Sequence, residues 1–175
     1  MVSTGVYVCD CGTNIAGGLD CKSLATYASG LKDVRIARNY KYVCSEAGQE
    51  LIEGDIERNG IDRVVVAACS PSMHEHTFRA LLERSGLNPY LLEVVNIREQ
   101  CSWVHSSKPE DATEKAKGLI AMGVARARLL EPLHPLETPV TKSALVIGAG
   151  IAGITAALNL ANTGYEVYLI DREGS

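Results

Sequence analysis

Residues 63–68 read Arg-Val-Val-Val-Ala-Ala, an apolar run with no polar alternation. A strand of that kind is buried on both faces, which requires helices above and below the sheet. The surrounding segments supply them. Thr4–Cys9 reads as a short buried strand, and Asp20–Leu31 as a helix capped by Asp20 with Leu24, Tyr27, Ala28 and Leu31 on one face. Val34–Ala37 is a second strand. Ser45–Asn59 follows as a helix, with Ser45 as its cap and Gly60 as its stop. After the valine strand, His74–Ser85 forms a helix stopped by Gly86, and Tyr90–Asn96 a fourth strand. Pro109 opens a helix that runs to about Leu130, with acidic residues at its start and Arg126 and Arg128 in its last turn. This alternation predicts a doubly wound, mostly parallel α/β sheet domain over residues 1–130.

Residues 131–143 then break the pattern, with three prolines between Glu131 and Pro139, and read as an extended linker. Of the 175 residues, 46% are apolar and 22% charged, enough to bury a core. The net charge of −4 is spread evenly and makes no electrostatic case for nucleic acid or an anionic membrane. The longest apolar stretch, Ala144–Ile154, is too short to span a bilayer, and the N-terminus carries no secretory pattern. A soluble, cytoplasmic protein is expected.

A second unit begins at Ala144. The strand Ala144–Ile147 runs into Gly148-Ala149-Gly150-Ile151-Ala152-Gly153, a helix follows to about Asn162, and Glu166–Ile170 forms a strand ending at Asp171. A lone GxGxxG is weak, but here a strand precedes it, a helix follows, and an acidic residue stands 18 positions beyond the last glycine. This is the opening of a Rossmann-like dinucleotide fold. Gly148 permits the turn, Gly150 lets backbone approach a pyrophosphate, and Gly153 allows close helix–strand packing. The N-terminal turn at Ile151 and Ala152 offers free N–H groups to the phosphates, and Asp171 a carboxylate to a ribose. Residues 144–175 hold only the first βαβ unit, so weak or absent flavin binding is expected of this chain alone. Its exposed sheet edge is expected to pack on residues 1–130 or to pair with a second copy.

Six cysteines in a cytoplasmic chain are either buried small apolar residues or ligands and nucleophiles. Cys9 and Cys11 lie at the end of the first predicted strand, Cys44 after the second, Cys69 directly after the third, and Cys101 five residues beyond the fourth. All five therefore fall at the carboxyl edge, where a doubly wound sheet forms its ligand crevice. Cys21, near a helix start, lies off that edge. Converging thiolates suit an iron–sulfur cluster or a closed zinc site, and the spacing does not choose between these and unligated buried thiols. His74-Glu75-His76 reads as exposed residues at a helix start, Arg98 and Glu99 as a structural pair, and Trp103 as core or as a cover over the cysteine edge.

The segments VCDCGTNIAG (8–17), YKYVCSEAGQ (40–49), RVVVAACSPSMHE (63–75), LNPYLLEVVNIREQCSWVH (87–105), ARARLLEPL (125–133) and VIGAGIAGITAALNLANTGYEVYLID (146–171) closely resemble the A subunits of heterodisulfide reductase. The resemblance covers essentially the whole chain. It implies an N-terminal portion of an FAD-carrying iron–sulfur protein, with a 4Fe–4S cluster in the α/β domain and a thioredoxin-reductase-like FAD domain beginning at the glycine turn. It also implies an oxidoreductase acting on the disulfide of coenzymes M and B with flavin-based electron bifurcation. The implied partners are the other reductase subunits, together with an electron-donating hydrogenase or dehydrogenase. Carried over by position, Gly148, Gly150 and Gly153 serve the FAD pyrophosphate, and Asp171 stands where the family more often has glutamate. Five cysteines match family positions where a cluster needs four. Cys11, Cys44, Cys69 and Cys101 are the expected ligands, with Cys11 preferred to Cys9 because it lies in the loop beside Gly12. The fragment alone is expected to be inactive. The competing reading is a non-catalytic docking or assembly module whose cysteines are unligated or bind zinc.

Overall fold

A computed structural model describes residues 2–173, and the chain divides into two compact units, Met1–Leu133 and His134–Ser175. In the first, β1 (Thr4–Cys9), β2 (Val34–Tyr40), β3 (Arg63–Ala68) and β4 (Leu92–Asn96) form one parallel sheet in the order β2-β1-β3-β4. The chain moves outward from β1 to β2, then crosses back to β3 on the other side. The gap between the carboxyl ends of β1 and β3 is therefore the topological switch point, where such sheets form their crevice.

Helices α1 (Thr13–Ala16), α2 (Cys21–Ser29), α3 (Glu46–Asn59), α4 (Pro71–Arg84) and α5 (Pro109–Ala127) complete the unit, with a single π turn at Arg98–Ser102. α2 and α5 cover one face, over Val6, Val8, Val65 and Ala67. α3 and α4 cover the other, over Tyr7, Val64, Val66 and Ala68. The unbroken valines of β3 thus face helices on both sides, and β1 is buried along its whole length.

Capping follows the local sequence. The Asp20 carboxylate accepts the Ser23 N–H at 3.0 Å, and Ser45 caps α3 by accepting from Gly48 at 3.2 Å. Gly60 ends α3 in the left-handed region. α4 starts at Pro71 rather than His74, because Ser70 caps it and proline suits a first helical turn. β2 extends to Tyr40, three residues past its expected end, and β4 begins at Leu92 rather than Tyr90.

One buried charge organises the α3 side. Asp55 is fully buried and receives Arg38 through two hydrogen bonds of 2.5 and 2.7 Å, with the Tyr7 hydroxyl donating at 3.4 Å. Burial, followed by the Asp55 charge, pushes the Tyr7 phenol far above its ordinary value, so it acts only as a neutral donor. Arg38→Met leaves a buried carboxylate without its main counter-charge, and urea unfolding is expected to show a loss of about 3 kcal/mol. An unchanged midpoint would show that Arg58, 3.9 Å from Asp55, takes over the charge.

The second unit comprises β5 (Ser143–Ile147), α6 (Ile151–Asn162) and β6 (Glu166–Ile170), with β5 and β6 paired in parallel. It is a βαβ unit at the start of a Rossmann-like fold. Among the described residues no helix is long and apolar enough to cross a membrane.

Candidate functional site: a cysteine edge and a glycine turn

At the carboxyl edge of the four-stranded sheet, β1 ends in Cys9 and the chain turns sharply through Cys11 and Gly12. Cys11 takes a positive φ of 48°, and Gly12 follows at 61°. Such a backbone is uncommon for a residue with a side chain. The turn directs the Cys11 N–H onto the Cys9 sulfur at 3.3 Å. A Cβ at Gly12 would stand 2.9 Å from the hydroxyl of the exposed Tyr42 side chain, which can move aside, so it is the positive φ that favours glycine there. Cys44 follows β2, half-buried beside the α3 cap, and Cys69 follows β3 at the switch point, 7% exposed.

Three of these thiols are pushed above their ordinary value. Burial pushes the Cys9 thiol up to about 11, and charge on Cys11 or Cys44 would raise it further. Cys44 is raised by burial and then by Cys11. Cys69 is raised by burial and eased by Arg98, while Cys11, Glu99 and Cys44 push it up. Without a bound cation, Cys9, Cys44 and Cys69 are held as neutral thiols, so ligation there would release protons.

Cys101 is the most deeply buried of the expected ligands. It sits in the π turn, fully buried in the core under α2 and α5 beside Ile15 and Ile97. Burial raises its thiol, and the charged neighbour acting on it is Lys115. Cys9 ends β1, and its sulfur accepts the Cys11 N–H. Cys21 is buried at the start of α2, with its thiol 3.9 Å from the Cys9 carbonyl oxygen.

The π turn contributes a side chain that the sequence marks only as half of a structural pair. Arg98 donates from Nη1 to the Cys11 sulfur at 3.5 Å. Its other nitrogens hold Glu99 at 2.8 and 3.2 Å, and Trp103 lies under the guanidinium, 4.6 Å from ring centre to Cζ. Trp103 is 51% exposed, so it covers Arg98 and is not core. His74 and His76 lie on α4, with Glu75 between them paired to Arg79. Among the described residues no group of three or more His, Cys, Asp or Glu side chains is arranged to hold a single metal ion. The donor set at the edge is nevertheless of the right chemistry for iron and sulfide, comprising four soft sulfurs, an N–H directed at one and a guanidinium at another.

In the second unit, β5 runs into Gly148 (φ 104°) and Gly150 caps α6. A Cβ on Gly153 would stand 1.8 Å from the Gly148 carbonyl oxygen, whereas one on Gly150 would meet nothing within 4 Å. The third glycine is thus filled by protein and the second faces open space. Ile151 and Ala152, in the first turn of α6, are exposed. Asp171 closes the loop, accepting the Ala149 N–H at 2.5 Å and the Glu173 N–H at 3.0 Å. The Glu173 and then the Ala149 N–H groups hold its carboxyl below the usual carboxylate range. The sequence pattern places Asp171 at the strand end but does not disclose that it ties this end to the glycine turn.

Comparison with known proteins adds two findings. Residues 146–175 match the NAD(P)-binding Rossmann-like domain family. The chain is 59% identical over 98% of its length to the second iron–sulfur A subunit of the CoB–CoM heterodisulfide reductase of Methanopyrus kandleri, of which it covers 26%. It is 55% identical, again over 98%, to the A subunit of the H2:CoB–CoM heterodisulfide,ferredoxin reductase of Methanothermobacter marburgensis, covering 26%. To the A subunit of the ferredoxin/F420H2-dependent CoB–CoM heterodisulfide reductase of Methanosarcina acetivorans the identity is 54% over 98%, covering 22%. The chain spans about a quarter of the length of these relatives. Along nearly all of its own length, the chain is a homologue of the N-terminal portion of the A subunit of heterodisulfide reductase.

Proposed function

We propose that residues 1–130 form an electron-transfer domain whose carboxyl edge holds a 4Fe–4S cluster, and that residues 144–175 begin an FAD domain, joined by the linker 131–143. The observation that supports the first part is the placement of Cys9, Cys11, Cys44 and Cys69 at the carboxyl ends of β1, β2 and β3, with the Cys11 N–H on the Cys9 sulfur at 3.3 Å. A 4Fe–4S cluster is larger than a single ion and takes its thiolates from points correspondingly further apart. Such a cluster supplies one-electron transfer. The protein supplies four thiolates, a buried floor formed by β1 and β3, and the guanidinium at the rim.

The flavin reading rests on the glycine turn. Gly150 leaves room for a pyrophosphate, the first turn of α6 offers N–H groups to it, and Asp171 stands beside them for a ribose. A flavin bound there supplies the exchange between two-electron and one-electron carriers. The names of the relatives extend the proposal to a longer oxidoreductase of the heterodisulfide reductase type, acting on the disulfide of coenzymes M and B. Other reductase subunits and a ferredoxin- or H2-linked partner would complete it. Electron bifurcation at the flavin and a cytoplasmic location belong to the same proposal.

Iron and acid-labile sulfide analysis of anaerobically prepared protein tests the cluster directly. About four iron and about four sulfide per chain are expected, with broad visible absorption that bleaches on dithionite. Zinc in place of iron, or no metal with all thiols titrating freely after anaerobic reconstitution, would overturn it.

A further inference from the structure

We propose that Arg98 is a positioning residue that sets the reduction potential of the cluster, through the hydrogen bond of its guanidinium to the Cys11 sulfur. The inference rests on the cluster reading above. Reduction adds one electron from an external donor and makes the site more negative. A fixed cation that donates to a ligand sulfur stabilises that state more than the oxidised one and so raises the potential. Arg98 is well placed for this. Its side chain is only 14% exposed, so water screens its charge poorly.

Its orientation is fixed from three sides. Glu99 takes two of its nitrogens, Trp103 lies flat against it, and Cys11 receives the third nitrogen. Glu99 is itself anchored, accepting the Ser70 N–H at 3.1 Å, while its own N–H donates to the Asn96 side chain at 3.0 Å. The carboxylate therefore orients the guanidinium toward the sulfurs. The π turn explains the reach, since i→i+5 closure from Trp103 N–H to the Arg98 carbonyl sets both side chains on the same rim.

The test is a dye-mediated redox titration of the anaerobic protein, followed by electron paramagnetic resonance, on Arg98→Gln, Arg98→Lys and Glu99→Gln. A midpoint potential is independent of occupancy, so partial cluster loss does not obscure it. At a dye potential poised at the unsubstituted midpoint, Arg98→Gln is expected to lower the reduced-to-oxidised ratio about tenfold, or about 59 mV for a one-electron couple. Arg98→Lys is expected to shift it in the same direction by less, because an ammonium keeps the charge and loses the fork. Glu99→Gln should shift the ratio the other way, since it removes the opposing charge and keeps the acceptor. A merely structural role gives no such change of sign. An unchanged potential in Arg98→Gln, or complete cluster loss in both Arg98 variants, overturns the assignment. Absence of iron from the unsubstituted protein instead overturns the cluster reading beneath it.

Discussion

Serine in place of Cys44 or Cys69 is expected to remove most of the iron from anaerobically prepared protein, with the fold retained. Both residues stand at loop starts on the sheet edge, Cys69 7% exposed and Cys44 half-buried against the core, so the hydroxyl is expected to cost some stability without unfolding the domain. It costs much in ligation, because an alcohol is a hard donor and resists the deprotonation that iron requires. Cys11→Ser belongs with them. The informative comparison is between Cys9 and Cys101. Cys9→Ser is expected to lose iron, as its sulfur faces Cys11. Cys101 is fully buried among apolar side chains. Cys101→Ser is expected to keep its iron but to lose about 1–3 kcal/mol of stability by placing a hydroxyl there. Cys21→Ser should behave like Cys101→Ser. Iron per chain and a urea midpoint on each variant separate the two effects. Iron lost from Cys101→Ser but not from Cys9→Ser would mean that the π turn rearranges on cluster binding, with Cys101 as the fourth ligand.

The choice between Cys101 and Cys9 shows where reading the chain residue by residue stops working. The valines of β3 announce a doubly buried strand because burial on both faces leaves no polar position, and that signal is local. Gly148, Gly150 and Gly153 are legible for a similar reason, as each spacing answers to one steric demand. The start of α4 is also written locally, in Ser70-Pro71, though the charged stretch at His74 draws attention further along. The π turn is different. Its i→i+5 closure leaves no periodicity in five residues, yet it places Cys101 in the core and Arg98 within reach of Cys11. The positive φ of Cys11 is equally silent, because nothing in a cysteine announces a left-handed backbone. The crevice can therefore be located from the order of strands and cysteines. The side chains that face one another inside it follow from two backbone irregularities that composition does not record.

The three glycines of the second unit are expected to separate cleanly when each is replaced by alanine. Gly153→Ala should unfold the βαβ unit. Its Cβ would overlap the Gly148 carbonyl oxygen, and backbone cannot yield there without pulling α6 off the turn. Overpacking of this kind costs roughly 1–3 kcal/mol, occasionally more. In a well-buried domain that would be tolerated. Here two strands carry one helix, and Leu145, Ile147 and Tyr168 are more than half exposed, so little stability stands in reserve. Amide hydrogen exchange should show protection lost across 143–170 while that of β1 and β3 stays unchanged. Gly148→Ala forces a side chain to a φ of 104° and should weaken the same amides less severely. Gly150→Ala should leave every amide protected, because its Cβ enters open space and φ is −71°. That methyl group stands where a pyrophosphate would pass, so titration with FAD should show weaker binding than by the unsubstituted chain despite an intact fold. Protection lost in Gly150→Ala would assign that glycine to packing. Where the unsubstituted chain binds FAD measurably, equal affinity in Gly150→Ala would remove the pyrophosphate from this turn.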